Sequence, residues 1–165
     1  MTAERIARLA ATPKLLAQIV VEASDELLDR LPAAGEWPPR VVLAHFRDDE
    51  YLCMRLGLER ALAEDRPEVV LLDGAGWVAM RNTTRDSRAT LLGDFALQRQ
   101  ASVSILGMLR VNEWERRLGS AGRGEFTISQ FLDAWLQHDA EHLAQIERAL
   151  GETAAEARER RARTN

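Results

Sequence analysis

The sequence predicts an all-α fold, a four-helix bundle with short extra helices in its connections. Three observations carry that prediction. Ala, Leu, Arg and Glu dominate, aromatic residues are only 5% and β-branched residues are sparse, a balance that favours helices over sheets. Gly and Pro are few and clustered, which leaves long uninterrupted segments. In four of those segments apolar residues recur at helical spacing. At 165 residues and 46% apolar composition the chain is long enough to enclose a real core in one domain, expected over residues 1–151.

The first segment, roughly residues 3–30, reads as helix. Thr12-Pro13 resembles an N-cap followed by proline at the first helical position, so a break or kink is expected near residue 12. Leu16, Ile19, Val20, Ala23 and Leu27 then follow helical spacing. Three prolines and a glycine make Leu31–Pro39 a connecting loop. The second helix starts at Pro38 or Pro39 and runs to about Ala63, with an inner stripe of Val41, Val42, His45, Asp49, Leu52 and Leu56. From Asp65 to about Ser87 the chain is irregular. The apolar run Val69–Leu72 is too isolated to build a sheet, and Asp73–Met80 fits a short helix.

The third long helix spans about Ser87 to Leu109, with the stripe Leu91, Phe95, Gln98, Ser102, Leu106 and Leu109. A short helix is expected at Asn112–Leu118, with Asn112 as its cap, and Gly119–Gly124 is a glycine-rich loop. The fourth helix runs from near Thr127 to about Leu150, where Gly151 supplies a stop. Its stripe is Ile128, Phe131, Trp135, His138, His142, Ile146 and Ala149. The tail 152–165, dense in Arg, Glu and Ala, is expected to be frayed or flexible.

The formal net charge of −4 gives no support for nucleic acid as a partner. No stretch is apolar enough to span a membrane, and MTAERIARLAATPK has no secretory apolar core. The single cysteine, Cys53, cannot form an intrachain disulfide, so a cytoplasmic location is expected. The expected ligand is a small molecule.

Chemistry points to the three histidines. His138 and His142 stand four apart in HDAEH, which places both imidazoles on one face, one turn apart. Taken alone, such a pair fits a shared ion or a solvated surface pair. The segment is not HExxH, because Asp139 occupies the place of the metalloprotease glutamate and Glu141 comes two residues later. His45, taken alone, reads as an ordinary half-buried histidine. All three on inner stripes of two helices fit one divalent ion better. Three protein ligands with an open position are the arrangement of catalytic sites. Asp48 and Asp49 follow His45 at spacings suited to orienting a ligand, moving a proton or adding a ligand, and are the candidate catalytic residues. Three imidazoles suit zinc, nickel, iron or copper.

Other features read as structural. Cys53 is best taken as a small buried hydrophobe. Trp37, Trp77, Trp114 and Trp135 read as packing anchors. Gln98 and Ser102 fit either a cavity lining or bonds to a neighbouring carbonyl.

GEWPPRVVLAHFRDDEYLCMRL at 35–56 and FLDAWLQHDAEHLAQI at 131–146 together resemble the DinB/YfiT-like superfamily of bacterial metal-binding helical bundles. The resemblance covers about Leu9 to Leu150. It implies that His45, His138 and His142 are a metal triad, that the ion is zinc or nickel, and that the protein forms homodimers. Characterised members include S-transferases and isomerases that use a low-molecular-weight thiol. The leading expectation is therefore a divalent-metal-dependent, thiol-dependent S-transferase. A non-enzymatic metal-binding or stress-response protein and a metal-assisted hydrolase stand as alternatives. For a thiol's carboxylates Arg55, Arg81 and Arg85 are available, without forming a recognisable basic pocket.

Overall fold

The computed structural model describes residues 2–32, 35–69, 76–78, 85–120 and 124–164, with side chains as far as residue 151. Four long helical stretches pack as the periodicity predicts. Helix α1 (Thr2–Val20) is followed by a short α2 (Asp25–Asp29). The second long stretch has three parts: α3 (Pro39–Asp49), a π-helical turn (Glu50–Arg55) and α4 (Leu56–Ala63). Helix α5 (Arg88–Met108) and helix α6 (Ile128–Thr164) complete the bundle. Among the described residues no helix is long and apolar enough to cross a membrane.

The expected break at Thr12-Pro13 does not occur: Pro13 lies inside α1. Proline offers no N–H to the carbonyl four residues earlier, here that of Leu9. Arg99 Nη1 supplies the missing donor, bonding Leu9 O at 2.9 Å. Thr12 is not a cap either. Its Oγ1 donates to Asp139 Oδ2 at 2.7 Å, deep in the bundle. Arg88 Nη1 closes the far end of α1 by donating to the carbonyls of Val20 (2.8 Å) and Ala23 (2.6 Å).

The π-turn corrects the second stripe. A π-turn accommodates one extra residue per turn, so the buried face advances by one position beyond it. Leu52 and Leu56, expected inside, are 39% and 44% exposed, while Cys53, Met54, Gly57 and Leu58 are buried. On α5 the stripe holds except that Arg99, at 2% exposure, takes the core place expected for Gln98. Ser87 caps α5 by accepting from Thr90 N. On α6 Gly151 does not stop the helix. Glycine ends a helix by adopting positive φ, and among described residues only Gly35 and Gly124 are glycines that do so.

The connections also differ from expectation. Residues 111–115 form a 3₁₀ turn, with Arg110 rather than Asn112 at its cap position. A small sheet follows: β1 (Glu68–Val69) pairs parallel with β2 (Arg117–Ser120), which pairs antiparallel with β3 (Gly124–Thr127). Val69 is therefore not isolated, because Ser120 of β2, 51 residues on, pairs with it. Of the helix expected at 73–80, only 76–78 are described, and they are helical.

The apolar core has two parts. One gathers Leu16, Val20, Phe46, Trp77, Leu91, Phe95 and Ile146, and the other Leu9, Met54, Leu58, Leu106, Phe131 and Trp135. On each long helix a polar residue lies in sequence between the two: Thr12 on α1, Glu50 at the π-turn, Arg99 on α5 and Asp139 on α6. These four side chains bond to one another in a buried polar layer.

Candidate metal centre

The proline-started α3 is buried along its whole length, so its polar side chains face protein rather than water. His45 points from α3 toward α6, where His138 and His142 sit one turn apart on the facing side. One ligand nitrogen from each of the three lies within 4.8 Å of the others. His45 Nε2 and His138 Nε2 are 3.2 Å apart. Metal–nitrogen bonds of 2.0–2.1 Å place two adjacent ligands of one tetrahedral or octahedral ion roughly 2.8–3.4 Å apart. The donor set therefore fits a divalent ion in chemistry, and the His45–His138 pair fits one in spacing.

The surroundings orient the rings. Trp37 and Trp77 each present an edge to His45, with ring centroids at 5.2 Å, and Trp37 stacks parallel to His142 at 6.4 Å. His142 Nδ1 donates to Gln145 Oε1 at 2.8 Å, and Gln145 Nε2 donates onward to Glu36 Oε2 at 3.0 Å. That chain engages Nδ1 and leaves His142 Nε2 as the ring nitrogen that could hold an ion. His138 Nδ1 lies 3.6 Å from Asp139 Oδ1, longer than a hydrogen bond. The Nδ1 atoms of His45 and His138 are buried without a hydrogen-bond partner among the described residues. Burial, reinforced by neighbouring His138 and His142, pushes the His45 imidazole down to about 3. Burial and His138 lower His142 as well, against the bond to Gln145. Both are thus held neutral, the state that coordinates a cation.

The structure separates Asp48 from Asp49. Asp49 Oδ2 lies 3.3 Å from His138 Nε2, and Asp49 lines the cavity beside the histidines. Asp48 turns away, accepting from Arg47 Nε at 2.8 Å and from Trp77 Nε1 at 3.0 Å. It holds the indole that packs on His45. The cavity has a volume of about 520 Å³. Part of its wall is apolar, formed by Met54, Val69, Leu118, Phe126 and Phe131, with Ser120 and Gln137 also lining it. Gly57 makes that wall possible: a Cβ there would stand 3.3 Å from Phe131 Cζ and from both Val69 methyl groups.

Gln98 and Ser102 lie outside the cavity lining, and Ser102 Oγ bonds the Gln98 carbonyl at 3.2 Å. Cys53 is buried in the bundle. Arg55 pairs with Glu59 and covers Tyr51, and Arg85 pairs with Asp86. Arg81 falls outside the described residues. Sequence reasoning missed Glu36, Gln145 and the buried Arg99. Gln145 stands three residues after His142, a spacing that could have flagged it.

A family model described as the DinB superfamily matches residues 8–146. A protein of Oceanobacillus iheyensis, provisionally named a metal-dependent hydrolase, is 25% identical over 134 residues, covering 81% of this chain and 77% of its own. The solved structure of YfiT from Bacillus subtilis, described as a probable metal-dependent hydrolase with an unusual four-helix bundle topology, superposes with a TM-score of 0.86. The two are 19% identical, and the match covers 93% of this chain and 87% of YfiT.

Proposed function

The chain belongs to the DinB superfamily, and on that premise we propose that it is a divalent-metal-dependent hydrolase. His45, His138 and His142 are the proposed ligands, and Asp49 is the proposed general base. The observation that carries this reading is the convergence of three imidazoles with Asp49 at one end of a cavity that also has an apolar wall. The names of the two relatives agree with it.

A bound divalent ion supplies a Lewis acid that polarises a carbonyl and lowers the pKa of water toward neutrality. The chain's own residues do the rest. Gln145 and the two tryptophans hold the His45 and His142 imidazoles in place before any ion arrives. Asp49 Oδ2 takes a proton from the attacking water and returns it to the leaving oxygen or nitrogen. Hydroxyl thus adds to the acyl carbon as the ester or amide bond breaks, and the leaving group departs protonated. Met54, Val69, Leu118, Phe126 and Phe131 receive the hydrocarbon part of the substrate.

A low-molecular-weight thiol in place of water is the second reading, carried by the resemblance of the two sequence motifs. The charged side chains that line the cavity beside the histidines are Asp49 and Glu141, and no described lysine or arginine joins them. Such a lining repels the carboxylates of a thiol such as glutathione, so water is placed first.

The test starts with protein purified without a histidine tag and assayed for metal by mass spectrometry. Less than about a tenth of an equivalent, with none gained from zinc or nickel, sinks the metal reading. Loaded protein is then given aryl esters of short and medium acyl chains. The hydrolase reading expects turnover without thiol. Turnover that appears only on adding thiol moves the assignment to S-transfer. Asp49→Asn should lower kcat about 10²–10⁴-fold while leaving metal content unchanged.

A further inference from the structure

We propose that Arg99 is a positioning residue for the metal centre. Its guanidinium holds the chain neighbours of two site residues, and so fixes how α3 and α6 present their ligands. This rests on the reading that the three histidines hold a metal.

Two adjacent pairs in the sequence are divided in the same way. In Asp49–Glu50, Asp49 faces the cavity and Glu50 faces the bundle. In His138–Asp139, His138 faces the cavity and Asp139 faces the bundle. Successive helical residues point about 100° apart, so holding the second fixes the rotation of the first. One guanidinium holds both. Arg99 Nε donates to Glu50 Oε2 at 2.9 Å. Its Nη1 and Nη2 donate to Asp139 Oδ2 and Oδ1 at 2.5 and 3.1 Å.

The guanidinium has little freedom to move. Its central carbon lies 4.8 Å from the Phe95 ring centroid and 5.4 Å from that of Trp135. Nη1 also bonds Leu9 O, which ties the position to α1. Thr12 donates to Asp139 Oδ2 and fixes that carboxylate from a second side. The same carboxylate lies beside His138 Nδ1 at 3.6 Å.

The geometric leverage is large. Rotating a helix by 15° moves a side-chain tip 5–6 Å from its axis by roughly 1.5 Å. Metal–ligand distances are held to about ±0.2 Å. A slack junction at Arg99 would therefore spoil coordination before it unfolded the bundle.

The experiment measures zinc affinity by competition with a chromophoric chelator, and the visible absorption of the cobalt(II) form. Both are done on folded, full-length protein well below its Tm. Arg99→Lys keeps the charge but cannot bridge both carboxylates. It should weaken zinc binding 10–100-fold and alter the cobalt spectrum. Leu16→Ala, a core truncation on a helix without ligands, is the control for lost stability. It should change affinity by less than threefold. Should Arg99→Lys fail to fold, Glu50→Gln serves, because among the described residues Glu50 has no hydrogen bond or ion pair to a histidine, and at least a fivefold loss is expected. An unchanged affinity and cobalt spectrum in whichever folded variant is measured overturns the proposal. A wild type that binds no ion overturns both this and the metal reading, whereas a wild type that binds while the variants match it overturns this alone.

Discussion

His45 joins the site's chemistry to the stability of the fold. Its imidazole, buried against His138 and His142, takes a proton only near pH 3, whereas an unfolded chain takes one near 6.5. Between those values the unfolded state binds more protons, so stability must fall as pH falls from about 6.5 toward 3. Metal-free protein should accordingly show a lower urea midpoint at pH 5 than at pH 7.5, and His45→Phe should shrink the difference. An equal difference in both proteins would remove His45 as the cause. At this scale the sequence was partly legible. Four-residue spacing places His138 and His142 on one face whatever surrounds them. The choice between Asp48 and Asp49 was not legible, because one residue is a 100° rotation and periodicity does not fix phase that finely. Glu36 was hidden for another reason: it reaches the site through Gln145, more than a hundred residues later.

At the scale of elements, the π-turn marks where periodicity failed. A stripe counted at 3.6 residues per turn runs through Leu52 and Leu56, and nothing in the residue types announces the extra residue. The shifted phase predicts unequal substitutions. Leu56→Ala should change stability by less than about 0.5 kcal/mol, and Leu58→Ala should cost about 2–5 kcal/mol, both read by chemical denaturation. Comparable losses would restore the unshifted stripe. The small sheet escaped for a different reason. Its strands are two to four residues long, too short to show alternation, and β1 finds its partner through a long-range pairing. Gly151 misled because glycine permits a helix stop without enforcing one.

For the whole molecule, four apolar stripes were enough to specify a bundle, since each must bury its face against the others. The polar layer between the two cores was invisible, because no sequence spacing links Thr12, Glu50, Arg99 and Asp139, which stand on four different helical stretches. The proposed metal would span α3 and α6 and tie together segments 93 residues apart. It should stabilise the fold by about 2.7 kcal/mol at a hundredfold excess over Kd, or roughly 5–11 °C in Tm for a chain of this size. Calorimetry with and without chelator checks this, and His142→Ala should lose most of the gain. The proline inside α1 has an evolutionary corollary. With Pro13 present, Arg99 donates to the Leu9 carbonyl where the proline has no N–H to give; with Pro13→Ala, that backbone donor returns. The two positions should therefore be epistatic. Arg99→Met should destabilise the parent by about 3–5 kcal/mol, and by about 1 kcal/mol less when Pro13→Ala is already in place. A lineage that first gave up the proline would find the arginine easier to lose, so the order of mutations would decide which descendants stay folded.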